Sequence, residues 1–154
     1  MRALELLAEG ASKMSGIDFL RAIRDGRLPA PPIAELLGFR LVEVEAGEAV
    51  FEVEPGEQHY NPIGVVHGGL AMTLLDSAMG CAVQTHMPAG GGYTTLEAKT
   101  NLTRPVTSQT GKLRAIGKIV HLGSRIATAE GRLVDAAGKL YAHATTTCIV
   151  LREG

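Results

Sequence analysis

Gly68-Gly-Leu-Ala-Met-Thr-Leu-Leu-Asp-Ser-Ala-Met-Gly-Cys-Ala-Val83 lies in the longest apolar-rich stretch of the chain and holds one charged side chain, Asp76. The run predicts a helix from Gly68 to about His86, ended by Pro88. Apolar residues fall on nearly every side of it, which is the pattern of a buried helix. One turn from Asp76 lie Met72, Thr73, Met79 and Gly80, of which only Thr73 has a polar side chain. An unpartnered carboxylate there would cost several kcal/mol. Two readings follow. Asp76 is a structural acid, bonded to a hydroxyl such as Thr73 or placed at a wet interface, or it is a carboxylate facing a pocket, as acids at active sites are.

Working outward, two strand-like stretches precede the helix, Phe39–Glu45 and Ala49–Glu54, joined as a hairpin by Ala46-Gly-Glu48. His59–Gly64 is a loop with Asn61-Pro62 as its turn signal. A Gly-rich connection, Pro88–Gly92, leads to four strands: Tyr93–Thr103, Lys112–His121, Arg125–Asp135 and Leu140–Leu151. Turns at Pro105–Gly111, Leu122–Ser124 and Ala136–Gly138 separate these strands. The last two carry small residues on one face, Ala127, Ala129, Gly131 and Ala142, Ala144, Thr146, which let a sheet wrap closely around a bulky element. One long helix and six strands predict an α+β domain with an antiparallel sheet wrapped around a central helix. Residues 1–38 read as an N-terminal helical arm, a lid or packing piece. Ser15 is an N-cap there, with Ile17, Leu20 and Ile23 at helical spacing, and Ile33–Leu37 forms a second helix stopped by Gly38. Residues 39–154 read as the domain itself.

His67-Gly68-Gly69 opens the long helix. A helix start presents free amide hydrogens, and glycines let a ligand approach them. An amide at Gly68 or Gly69 could therefore hold a carbonyl oxygen that gains charge during a reaction. His67 reads as a hydrogen-bond donor or orienter, or as a structural His beside a tight turn. Gly68 and Asp76 stand about 12 Å apart along the helix axis, too far to hold one reacting carbon. If both act together they come from different helices, and the chain has only one such helix. A two-fold axis near Met72 would bring Gly68 of each copy to Asp76 of the other.

The 154 residues fit one domain, and 45% of them are apolar. The 15 basic and 16 acidic side chains nearly cancel, no basic run tracks a phosphate backbone, and aromatics are few, so nucleic acid is a poor partner. No stretch reaches the roughly 18 apolar residues of a membrane span, and Met1–Gly10 does not read as a secretory signal. Cys81 and Cys148 lack a CxxC spacing and read as buried free thiols of a cytoplasmic protein. His59, His67 and Asp76 match no standard zinc spacing, and Gly90–Gly92 is followed by no Lys-Ser/Thr of a phosphate loop.

His59-Tyr-Asn61-Pro-Ile-Gly64-Val-Val-His67-Gly68-Gly69, followed by Leu75-Asp76 and Gly80, resembles the hotdog-fold thioesterases. The nearest branch looks like the phenylacetic-acid-degradation thioesterases and thioesterase-superfamily member 2. Asn101-Leu-Thr-Arg104-Pro105, Gly111, Gly123-Ser124-Arg125, Asp135–Gly138 and the Ala142–Thr147 strand extend the likeness from about Phe39 to Leu151. The resemblance implies a hotdog fold, a homodimer with a continuous sheet and often a homotetramer, coenzyme A thioesters as substrates, and no metal or organic cofactor. It implies that the Gly68 N–H polarises the thioester carbonyl and that Asp76 of the partner subunit is nucleophile or general base. Asn61 and His67 would orient the carbonyl or the water. A hydroxyl assists in relatives: Thr94 fits its spacing, with Thr95 the next candidate, although a Thr stands where a Ser is expected. Gly69 and Thr95 would line the substrate site, and Arg125 and Arg104 would meet the coenzyme A phosphates. The acyl group is not legible. Aryl-acetyl and medium-chain groups both fit the family, and a hotdog hydratase or a non-catalytic acyl-CoA sensor are the rival readings.

Overall fold

Three helices precede the sheet in the structure, a computed structural model that describes residues 2–152. The first, α1 (Arg2–Lys13), has no counterpart in the sequence reading. Gly10 lies mid-run, which weakens a helical signal. It is also what lets the helix pack, because a Cβ there would fall 2.7 Å from Leu28. The other two, α2 (Gly16–Arg24) and α3 (Pro32–Leu37), stand where the caps place them. The Ser15 side chain accepts from the Asp18 amide, and Gly38 closes α3 at a φ of 78°. Leu20 and Ala34 are buried within the common core, and Ala22 is fully buried.

Six strands form one antiparallel sheet: β1 (Phe39–Glu45), β2 (Glu48–Val53), β3 (Gly92–Leu102), β4 (Leu113–Leu122), β5 (Ile126–Asp135) and β6 (Leu140–Leu151). Their spatial order is β1-β2-β4-β5-β6-β3, so β1 and β3 are the edges. The long helix α4 (Gly68–Gln84) crosses the concave face and touches every strand. Its far end is tied to the β1–β2 turn, where the Gly47 amide donates to Thr85 Oγ1 (2.8 Å) and Thr85 Oγ1 donates to the Ala82 carbonyl (2.7 Å).

The helix seats on a row of small residues. Ala49, Gly117, Gly131 and Ala144 are successive partners across β2, β4, β5 and β6. A Cβ at Gly117 would overlap the Ala78 carbonyl of α4, and one at Gly131 would come within 3.0 Å of Leu75. The small faces of β5 and β6 are buried as their alternation predicts, with Ala127, Ala129, Ala142, Ala144 and Thr146 all inside.

One expectation about α4 is corrected. The helix is not enclosed on all sides. Leu74, Leu75, Ala78, Met79 and Val83 are buried, but Met72 is 47% exposed and Asp76 lies open on the same flank. A single sheet can cover only the side of a helix that faces it, so an all-round apolar helix keeps one flank for something else.

Candidate active site

The loop before α4 is built to present the helix start. Asn61 anchors it: its side-chain oxygen accepts from the Ile63 and Val65 amides (3.1 and 3.3 Å), and its own N–H donates to the Val65 carbonyl (2.8 Å). The Val66 amide then donates to Val106 and the His67 amide to His59, both at 2.8 Å. His59 itself is buried and fixed, accepting from the Gly56 amide at Nδ1 and donating from Nε2 to the Leu37 carbonyl (2.7 Å).

His67 is the N-cap of α4. Its Nδ1 accepts from the Gly69 amide at 2.8 Å, so the proton of the neutral ring sits on Nε2. That bond decides between the two glycine amides. Gly69 N–H is taken, and among the described residues nothing occupies the N–H of Gly68. Gly68 is therefore the amide available to a carbonyl oxygen, while Gly69 contributes only its lack of a side chain. A Cβ at Gly68 would fall 2.5 Å from Leu102 Cδ1.

Gly68, Asn61 and His67 open onto a cavity of about 340 Å³ between α4 and the sheet. Arg104 stands at its exposed mouth, its guanidinium 5.8 Å over the Tyr141 ring. On the other side of His67 a shallower groove of about 390 Å³ is bordered by Gly69, Thr73, Tyr60 and Gln58. Asp76 borders neither space.

Asp76 has its own surroundings. Thr95 Oγ1 donates to Asp76 Oδ1 at 2.8 Å, which replaces the Thr73 partner that helical spacing suggested. Adjacent strand residues point to opposite faces, so Thr94 is directed away from the helix, where it is exposed. Tyr93, two residues before Thr95, shares its face and lays its ring and hydroxyl directly over Gly80. Burial, then the nearby Cys81 and Asp76, push the Tyr93 hydroxyl well above its ordinary range. Burial and Asp76 likewise push the Cys81 thiol up to about 12, and burial raises Cys148, so neither is a nucleophile at neutral pH.

The predicted residues thus do not all come together. Asn61, His67, Gly68 and Arg104 share a cavity, Gly69 borders the groove beside it, Asp76 and Thr95 form a pair further along the same helix, Thr94 is exposed on the other face of β3, and Arg125 lies exposed at the β4–β5 turn. The turn is braced by Arg152, whose guanidinium donates to the Gly123 carbonyl at 3.1 Å. Tyr93 and Leu102 were missed by sequence reasoning. The available signal was Gly68 and Gly80, glycines in a helix that leave room for a neighbour. Among the described residues no three of His, Cys, Asp and Glu converge to hold a metal ion, and no helix is long and apolar enough to cross a membrane.

Comparison with known proteins identifies the family. The family model described as thioesterase superfamily matches residues 63–142, which includes α4, Asp76 and Thr95. A Saccharolobus solfataricus protein, provisionally named an esterase, is 32% identical over 88% of this chain and 94% of its own. The 1,4-dihydroxy-2-naphthoyl-CoA hydrolase of Listeria monocytogenes is 26% identical over 79% of this chain and 97% of its own. Among solved structures, a point variant of the phenylacetic acid degradation protein PaaI from Thermus thermophilus is 32% identical. It superposes with a TM-score of 0.70, covering 77% of this chain and 98% of that one. With a family model spanning its central helix and the strands β3 to β5, and with relatives named as hydrolases, the chain belongs to the thioesterase superfamily and has the hotdog fold.

Proposed function

We propose that the protein hydrolyses acyl-CoA thioesters to a free acid and coenzyme A, at two equivalent sites formed by a homodimer. The observation that carries this is the separation of the two halves of the chemistry. An open amide at Gly68, flanked by Asn61 and His67, faces a cavity that holds no acid. An acid, held by Thr95, lies on an exposed helix flank with no amide to match. Met72 lies midway between them and is exposed. A second copy placed antiparallel across Met72 supplies each half with the other and covers the apolar flank of α4. The groove beside Gly69 and Thr73 leaves the approach open.

In that assembly the thioester carbonyl oxygen accepts from the Gly68 N–H, which strengthens as the oxygen becomes negative. The Asn61 side-chain NH2 and the His67 Nε2–H are donors left for the same oxygen or for water, since their other polar atoms are spent on the loop and the cap. The partner subunit's Asp76 either takes a proton from water, whose oxygen attacks the carbonyl carbon, or attacks that carbon itself. The C–S bond breaks and the coenzyme A thiolate leaves, to be protonated; after direct attack, water then hydrolyses the acyl–Asp76 anhydride to the free acid and the Asp76 carboxylate. The proposed site requires two copies of the chain. Both cysteines are unpaired, which fits the reducing cytoplasm.

The test is turnover of a panel of acyl-CoA thioesters by the wild type and by Asp76→Asn. The variant keeps the shape but removes both base and nucleophile, so kcat should fall by about 10² or more. Near wild-type turnover by the variant, or a panel that binds and is never consumed, would overturn the assignment. A single turnover in ¹⁸O-water that yields unlabelled acid, with the label in Asp76, identifies direct attack followed by water addition at the Asp76 carboxyl carbon.

A further inference from the structure

His59 ends the 3-10 turn Glu57–His59, and the proposed chemistry gives it no part. The residue is 8% exposed, so its ring nitrogens need protein partners. Both have one. Nδ1 accepts from the Gly56 amide at 3.1 Å, and Nε2 donates to the Leu37 carbonyl at 2.7 Å, which fixes a neutral ring with its proton on Nε2. Leu37 is the last residue of α3, at the end of the N-terminal arm. The same arm is anchored beyond the other end of α4. There the Gly16 amide donates to the Met87 carbonyl and the Gly90 amide to the Ala11 carbonyl, both at 2.9 Å, and a Cβ at Gly16 would overlap the Gln84 carbonyl. The arm therefore grips the chain after α4 directly, and the loop before α4 through the His59 ring.

From His59 the link runs on to the helix start. The His59 carbonyl accepts from the His67 amide, and the His67 ring accepts from the Gly69 amide, both at 2.8 Å. The residues on either side of Gly68 are thus held. The Gly68 N–H lies in the peptide plane that joins it to His67, so the ψ of His67, here 132°, sets its direction. A hydrogen bond weakens steeply as its donor turns off line. Leu37, His59, His67 and Gly69 also border one groove beside the helix start. We propose that His59 is a positioning residue for the Gly68 amide, and that the N-terminal arm aims this amide through the His59–Leu37 bond. This deepens the hydrolase reading and rests on it for the carbonyl that the amide meets.

Two variants divide the ring's two bonds. His59→Gln places an amide nitrogen where Nε2 stands and keeps the donor to Leu37. His59→Asn places an amide oxygen where Nδ1 stands and cannot reach Leu37. Two non-hydrolysable probes then read the Gly68 amide without catalysis: S-(2-oxooctyl)-CoA, which has a carbonyl, and S-octyl-CoA, which has none. The wild type should prefer the ketone about fivefold, the worth of one net hydrogen bond. His59→Asn should bring the preference near one with S-octyl-CoA affinity unchanged, and His59→Gln should keep most of it. On an acyl-CoA that is turned over, His59→Asn should lower kcat at least tenfold with KM within about threefold, because misplacing a reacting group costs rate more than binding. The proposal is overturned if the wild type has no ketone preference, if His59→Asn keeps it, if His59→Gln loses as much as His59→Asn, or if the variants weaken both probes equally. A measurement on the wild type stands even if neither variant folds: ¹⁵N NMR of the imidazole near neutral pH should show the Nε2–H tautomer, and an Nδ1–H or doubly protonated His59 overturns the proposal. A ketone preference that depends on His59 without turnover of any acyl-CoA leaves the positioning role standing and sinks the hydrolase reading. Full turnover by His59→Asn does the reverse.

Discussion

Thr94 and Thr95 are chemically identical neighbours, and only the pleat of β3 tells them apart. Thr95 reaches Asp76 at 2.8 Å, and Thr94 is directed to the other face. Family spacing pointed to Thr94 and kept Thr95 as the next candidate, so the tertiary fold supplies the choice. A hydrogen bond to a charged group contributes about 1.5–3 kcal/mol. If that bond holds the acid in its working rotamer, Thr95→Val should lower kcat about tenfold with KM little changed, while Thr94→Val stays near wild type. Equal losses in both, or none in Thr95→Val, would remove Thr95 from the site. Arg125 is a second matter for the residue scale. It is exposed at the β4–β5 turn, and an Arg fork suits phosphate oxygens. Arg125→Ala should raise KM for acyl-CoA severalfold and leave a short thioester without the nucleotide unchanged. Equal shifts for the two substrates would count against a phosphate contact.

At the scale of elements, the helix and the sheet are matched through the row Ala49, Gly117, Gly131 and Ala144. The glycine at 117 lies against helix backbone, which cannot move aside as a side chain can. Overpacking a tight core costs about 1–3 kcal/mol, and a domain of this size loses roughly 2–4 °C of Tm per kcal/mol. Gly117→Val should therefore lower Tm by about 5 °C or more or prevent folding, as followed by thermal denaturation. Gly92→Ala is the control, because a Cβ there meets only Gln84 Oε1 at 3.8 Å, and its Tm should stay within about 1 °C of wild type. A normal Tm for Gly117→Val would mean that α4 does not rest on this row. Sequence periodicity marked the small stripe of β5 and β6 but not Gly117, because a lone glycine in β4 has no pattern around it. The same limit explains α4. Its apolar composition is right, yet composition cannot say which flank faces the sheet and which is left open.

For the whole molecule, the decisive fact is that Gly68 and Asp76 belong to one rigid helix but to different spaces. Two variants test a shared site: Asp76→Asn, and Gly68→Val, whose side chain would strike Leu102 at the amide end. Each homodimer should be nearly inactive. After subunit exchange at equal amounts about half the dimers are mixed, each with one doubly defective site and one intact site, so roughly a quarter of wild-type activity should return. Exchange verified by mass spectrometry with no recovered activity would show that Asp76 works within its own subunit or not at all. The order of helices and strands from α2 onward, the caps at Ser15 and Gly38 and the His67-Gly68…Asp76 spacing were legible in the chain alone, because periodicity, chain reversal and helix rise are local rules that a one-dimensional pattern records; α1, interrupted by Gly10, was not. Three features came from the folded molecule: Gly68 rather than Gly69 keeps a free amide, Thr95 holds Asp76, and α4 leaves Met72 and Asp76 uncovered. Each of those depends on a contact between residues distant in the chain, or on which N–H a neighbour has already claimed, and no spacing encodes that.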